Sequence, residues 1–269
     1  MTKPKHILVA VDFNKSADPL LNFVAQDIRP EDQVTLLYIL GQGYMGLNLA
    51  GGLRPFDKEA TELNRLTMTH FGHHQQVSHQ IGFDPYDAAD GIVRYAERQG
   101  VDRIYLGSRD RHGLMDKLLG STCLKVVNQA PCDVVVVPYG AEYSPADKLI
   151  MAVTEGASQA LTPERLNEWG GKQLLFVHVA KSEGEEFKEE KKQLLQQLFE
   201  AHDVHFSFGI QSVISQNTVK SILSFAEEES ADRVLLKKSD QSLISTLFLS
   251  STTKEIIEKS IFPLLFITN

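Results

Sequence analysis

The stretch from Leu106 to Thr122 concentrates residues suited to holding a phosphate. It runs Leu106-Gly107-Ser108-Arg109-Asp110-Arg111-His112-Gly113 and ends Leu119-Gly120-Ser121-Thr122, joining an apolar run to a helix start. Gly107 and Gly120 lack a Cβ, so backbone N–H groups there come within reach of an anion, and Ser121 and Thr122 add hydroxyl donors. Free N–H groups at a helix start favour negative charge, and ligands of open parallel sheets sit outside the carboxyl ends of strands. The same spacing also serves as a plain connection, with Gly107 as a turn residue and Ser121 as a cap.

The elements that must position these residues read as alternating strands and helices. Ile7–Val11, Val34–Leu40, Val77–Ile81, Asp102–Leu106 and Val134–Val137 are short runs rich in β-branched residues, the pattern of strands buried in a parallel sheet. Between them, Leu63, Leu66 and Phe71 mark a helix stopped by Gly72; Ile92, Val93 and Ala96 mark another, and Leu118–Val127 a further one. Such alternation implies βαβ units with helices on both faces. After Pro138, Tyr139-Gly140-Ala141-Glu142-Tyr143-Ser144-Pro145 has linker composition, and the order of elements starts again. Leu149–Thr154 lies over Ile7–Asp12 at an offset of 142, and Leu174–Val179 answers the second strand. Farther on the offset is 130, where Asp102-Arg103 meets Asp232-Arg233 and Ser121-Thr122 meets Ser251-Thr252. The first half spends the extra residues on a Gly-rich excursion, Gly41–Pro55. The expectation is two tandem doubly wound α/β domains with five-stranded parallel sheets, at 1–140 and 146–269.

Length and composition agree. The chain has 269 residues, 42% apolar and 23% charged, which suits two packed domains and excludes disordered and collagenous classes. A formal charge of −8 repels phosphate backbones and anionic lipid, so neither a nucleic acid nor a membrane is expected as a partner. Two cysteines, Cys123 and Cys132, make no disulfide framework, and the polar start Met1–His6 does not read as a leader. Together these point to a cytoplasmic protein with reduced thiols.

With Asp12 ending the first strand, Gly107 to Ser121 spaced as Gly-x-x-x-(nine residues)-Gly-Ser, and Ala130-Pro131-Cys132-Asp133-Val134-Val135-Val136-Val137 following, the chain resembles the universal stress protein family in its tandem form. The resemblance covers nearly the whole chain and is stronger in the first half. It implies the adenine nucleotide alpha hydrolase-like fold and an internal pseudo-dimer in which Val134–Val137 and Leu264–Ile267 meet antiparallel. It equally implies an adenine-nucleotide site, for ATP with Mg²⁺, lined by Ala10, Asp12, Ile39, Leu106, Gly107, Gly120, Ser121 and Thr122. By the same token it suggests a stress-response binding or regulatory protein, with a homodimer and an unidentified protein as further partners.

The departures are as informative. Nucleotide-binding relatives carry Gly-x-x-Gly-(nine residues)-Gly-Ser/Thr, and the second glycine is Asp110 here. Unit charges about 4 Å apart repel by on the order of 1 kcal/mol in water and several times that near a protein surface. Arg109 and Arg111 flank Asp110 and would offset the repulsion, as would a Mg²⁺ ion between carboxylate and phosphates. In the second half Lys237, Asp240 and Ser250 take the places of the loop residues and Thr154 that of Asp12, so no cradle remains. It reads as a structural partner, although Lys237 and Lys238 at a strand end would still attract an anion.

Other motifs carry less. Gly41-Gln42-Gly43-Tyr44-Met45-Gly46 matches a dinucleotide fingerprint literally, but Gly51-Gly52 and Pro55 follow instead of a helix, so the segment reads as a loop over the crevice. His70, His73, His74 and His79 invite a metal reading that Gly72 interrupts. Cys123 reads as a small buried residue, and Glu183–Phe199 as a helix with one solvated face. No nucleophile elbow, Walker loop or zinc spacing occurs, so catalysis is not indicated. Slow ATP hydrolysis is the most that Asp110, the one candidate base beside the phosphates, would support. The competing expectation is a nucleotide-independent interaction or small-ligand protein that uses Gly41–Pro55 or the second crevice. If charge at position 110 weakens phosphate binding, Asp110→Gly tightens MgATP binding in a titration by roughly fivefold or more; unchanged affinity excludes charge as the cause.

Overall fold

The computed structural model describes residues 3–13, 17–41, 56–108, 121–153, 160–180, 193, 197, 208–238 and 246–268. The chain divides into two compact units, Pro4–Tyr143 and a second built on Ser144–Asn269.

In the first unit the order is β1 (His6–Ala10), α1 (Ala17–Asp27), β2 (Gln33–Leu40), α2 (Asp57–Phe71), β3 (Val77–Phe83), α3 (Ala88–Gln99), β4 (Arg103–Gly107), α4 (Ser121–Gln129) and β5 (Asp133–Val137). The strands are parallel and lie in the order β3-β2-β1-β4-β5. Helix α1 packs against α2, and α3 against α4. Right-handed crossovers place these two pairs on opposite faces of the sheet. Both faces of the central strands are therefore covered, and Leu8, Val9, Ile104 and Val134 are fully buried. Strand β3 runs to Phe83, beyond the expected Ile81, because it pairs with β2 as far as Leu40 opposite Phe83. Residues 118–120, expected at the start of α4, and the excursion 42–55 lie outside the described residues.

The second unit comprises β6 (Lys148–Ala152), α5 (Pro163–Glu168), β7 (Gln173–Ala180), β8 (Phe208–Ile214), α6 (Thr218–Glu228), β9 (Arg233–Lys237), α7 (Thr246–Lys259) and β10 (Leu264–Ile267). Its parallel strands run β8-β7-β6-β9-β10, the same order as in the first unit. The expected charged helix at 183–199 lies almost wholly outside the described residues.

The two units repeat in register. Ala10 stands opposite Leu106 in one, and Ala152 opposite Leu236 in the other. The Val11 N–H donates to the Leu37 carbonyl as that of Val153 does to Val177. The shared Asp-Arg pair explains itself at the amino end of the sheet. An Asp102 carboxylate oxygen accepts the His6 N–H at 2.7 Å, and the Asp102 N–H donates to the His6 carbonyl at 2.9 Å. Asp232 likewise accepts the Lys148 N–H at 2.8 Å and donates to the Lys148 carbonyl at 2.9 Å. In each unit one aspartate clips the start of the first strand to the start of the fourth.

The helix before each clip ends in a left-handed residue, and here the units differ. Gly100 takes φ 61° without steric cost, whereas its counterpart Ser230 takes φ 53° with a Cβ present. The next N–H donates back to the helix in both cases, Val101 to Ala96 and Ala231 to Ala226. Ser230→Gly is accordingly expected to stabilise the protein by about 1 kcal/mol, and Gly100→Ser to destabilise it comparably. Denaturant midpoints of the two variants check this.

Candidate functional site

Chain order across the first sheet reverses between β1 and β4, since β1 leads on to β2 on one side and β4 to β5 on the other. A crevice forms at such a point, outside the carboxyl ends of the two strands. Ala10 and Leu106 are direct neighbours at that edge, and Gly107 closes β4 opposite Val137. The Cys123 thiol, in the first turn of α4, donates to the Gly107 carbonyl at 3.4 Å. That contact seats the amino end of α4, with Ser121 and Thr122 as its first residues, over the end of β4. At Gly107 a Cβ would meet only Leu20, with Cδ2 at 3.7 Å, an ordinary contact, and the residue is not in the left-handed region. Among the described residues neither backbone nor neighbour demands glycine there. What its small size leaves open is the approach to the backbone from the crevice.

Helix α4 is braced from the side. Lys125 Nζ reaches Asp87, the N-cap of α3, at 2.9 Å and Asp90, in its first turn, at 2.7 Å. Asp87 also caps α3 by accepting the Ala89 N–H at 2.9 Å. Burial works against the Asp87 carboxylate, but the Lys125 ammonium and the Ala89 N–H outweigh it and hold its pKa below the usual range. Hydrogen bonds to Asp90 and Asp87 raise that of Lys125 in turn.

The β1–β2 side of the crevice is acidic. Asp12 lies half-buried two residues beyond β1, and next to it the Phe13 ring stacks on Tyr38 with centroids 4.2 Å apart. Burial pushes the Tyr38 hydroxyl pKa up, and the carboxylates of Glu59 and Asp12 push it further. An anionic group is thus favoured at the α4 end, and a neutral, hydroxyl-bearing or apolar group beside Asp12 and Ile39. Ile39, opposite Gly82 in β3, completes that side.

Of the residues the sequence singles out, Ala10, Asp12, Ile39, Leu106, Gly107, Ser121 and Thr122 gather at this edge of the sheet. Asp110 and Gly120, with Arg109 and Arg111, lie outside the described residues, as does the Gly41–Pro55 excursion from residue 42 on. The thiol of Cys123 and the brace through Lys125 were not singled out as site features, and helical spacing around Ser121 is the only sequence signal for them. In the second unit Lys237 stands where the first has Gly107, and His178 where it has Tyr38. Thr154 and Asp240 lie outside the described residues, while Ser250 falls within α7.

The histidines take separate partners. His70 Nε2 is 2.8 Å from Asp18 and its Nδ1 2.9 Å from Asn22, whereas His74 bridges the Arg29 carbonyl and the Gln76 N–H. Among the described residues no group of three or more His, Cys, Asp or Glu is placed to hold a metal. Nor is any described helix long and apolar enough to cross a membrane.

A family model for the universal stress protein family matches residues 3–138. No curated protein sequence matches significantly. Among solved structures, a universal stress protein from Archaeoglobus fulgidus DSM 4304 is similar over 98% of this chain and 96% of its own, at 17% identity and a TM-score of 0.76. A Pseudomonas aeruginosa UCBPP-PA14 protein assigned to the same family is similar over 98% of this chain and 93% of its own, at 13% identity and a TM-score of 0.64. At these identities the likeness speaks for the fold of both units.

Because the α3–α4 brace is an exposed charge cluster, Lys125→Met is expected to lower the melting temperature by roughly 1–2 °C at low salt. The difference disappears at about 1 M salt, where screening acts over roughly 3 Å. A loss that persists at high salt assigns the effect to packing of the lysine stem instead.

Proposed function

The chain belongs to the universal stress protein family, and from that premise we propose that its first unit binds an adenine nucleotide, ATP with Mg²⁺, in the crevice between β1 and β4. The phosphates face the N–H groups at the start of α4, the Thr122 hydroxyl and the backbone at Gly107, and the sequence motif adds Gly120 and Ser121 to that cradle. Asp12 accepts from the ribose hydroxyls, and Ala10, Ile39 and Leu106 offer apolar contact to the base. Asp110 would meet the phosphates through Mg²⁺, which a carboxylate and phosphate oxygens together suit.

One observation carries most weight: the Cys123 thiol holds the first turn of α4 against Gly107 at the reversal point of the sheet. A glycine that its described surroundings do not require, beside a helix start, is what close approach of a phosphate asks for. The division of charge along the crevice supports the same orientation, since Asp12 and Glu59 disfavour phosphate at the β1–β2 end. Lys237 puts a side chain where the first unit has none, so the proposal is confined to the first unit. The role that follows is nucleotide sensing in a cytoplasmic stress response, without turnover as its purpose.

Thermal unfolding with and without excess MgATP, ADP and AMP tests this. A ligand at a hundred times its dissociation constant adds about 2.7 kcal/mol, hence a rise of several degrees. The Gly107 surroundings accommodate a Cβ, so Gly107→Ala is expected to fold with nearly the parent melting temperature and to lose most of the nucleotide shift. The absence of a shift with any nucleotide, in protein carrying none from purification, overturns the proposal in favour of a nucleotide-independent interaction protein.

A further inference from the structure

Two glycines of the first unit face one side chain. Gly82, in β3, stands opposite Ile39 of β2, and a Cβ there would lie 2.6 Å from Ile39 Cδ1. Gly91, in the first turns of α3, is buried, and its Cβ would lie 3.0 Å from Ile39 Cγ2 and 3.1 Å from Cδ1. Asp84 closes the same slot, its own Cβ 3.1 Å from that point. It is fully buried, accepts the N–H groups of Tyr86 and Asp87 at 2.8 and 2.9 Å, and pairs with Arg94, so this wall does not yield readily.

Neither glycine is explained by its backbone. Neither has a positive φ, and glycine weakens both a strand and a helix relative to a residue with a side chain. The space taken by Ile39 explains both. Within the sheet β2 lies between β3, on the Gly82 side, and β1 on the other. A methyl group at Gly82 displaces Ile39 Cδ1 away from β3, and on the far side of β2 lie Ala10, Asp12 and, one strand farther, Leu106.

We propose that Gly82 and Gly91 are positioning residues that hold Ile39 drawn back between β3 and α3, and so set the room for a purine base at the β1–β2 end of the crevice. This rests on the nucleotide reading above and adds the determinant of the base. A side chain at Gly82 narrows that end without touching the phosphate end at α4.

The test is a titration of MgATP into wild type, Ile39→Val, Gly82→Ala and the Gly82→Ala/Ile39→Val double variant, each with its melting temperature measured. Gly82→Ala is expected to weaken MgATP roughly tenfold, the scale of one misplaced methyl group in a pocket. Ile39→Val removes the Cδ1 atom with which the new methyl collides. It is expected to bring the double variant back to within about threefold of Ile39→Val alone. Wild-type affinity in Gly82→Ala, or no recovery in the double variant, overturns the inference while wild-type binding leaves the nucleotide reading standing. No binding by wild type overturns both. Should Gly82→Ala not fold, Gly91→Ala with and without Ile39→Ala gives a parallel comparison, because Ile39→Ala removes the two Ile39 atoms of the collision and leaves the Asp84 Cβ contact common to both variants.

Discussion

Everything at the candidate site depends on the pairing of β1 with β4. These strands are neighbours in space with two strands and three helices between them in the chain. Asp102 fixes their relative position at the amino end through a reciprocal pair of hydrogen bonds with His6. From that clip the parallel register carries Ala10 to Leu106 and brings Gly107 level with the end of β1. Were the register to slip by one residue, every side chain of β4 would change face and α4 would start over a different part of the crevice. Tyr105 adds a second lock, its hydroxyl donating to Asp27 at the end of α1 at 2.6 Å.

The second unit shows which parts of this arrangement are scaffold. It keeps the aspartate clip, the strand order and the register, down to the N–H of Val153 on the Val177 carbonyl. At the carboxyl edge it keeps Ala152 and Leu236 for Ala10 and Leu106, and Ser251-Thr252 for Ser121-Thr122, but has Lys237 for Gly107 and His178 for Tyr38. The amino edge therefore sets the fold, and the carboxyl edge has been free to change. Ser230 in a left-handed conformation shows the repeat retained even where the residue type no longer favours it.

Much of the fold was legible because buried parallel strands announce themselves as short β-branched runs and because the duplication fixes their alignment twice. The offsets of 142 and 130 place Ala152 on Ala10 and Leu236 on Leu106, the very pairs that stand opposite each other in the two sheets. Around the site, the glycine spacing pointed to Gly107 and Ser121 on physical grounds, while Asp12 and Ile39 came only through family resemblance. What did not show were contacts between side chains far apart in sequence: Lys125 with Asp87 and Asp90, or Gly82 and Gly91 with Ile39. Periodicity reports which face of an element is apolar, and carries no information on which particular neighbour fills it. His70 and His74 show the converse, since two residues of one type four positions apart turned to different partners, Asp18 and Asn22 of α1 for one and the Arg29 carbonyl and the Gln76 N–H for the other.

The aspartate clip spans 96 positions of sequence, from His6 to Asp102. During synthesis β1, α1, β2, α2 and β3 all leave the ribosome before β4 exists to be inserted beside β1, and until then β1 keeps one edge bare. The crevice is thus a late product of chain growth, absent from any shorter nascent species. A ligand bound there would engage only a finished first unit, and its binding would withdraw the newly closed sheet from unfolding and proteolysis.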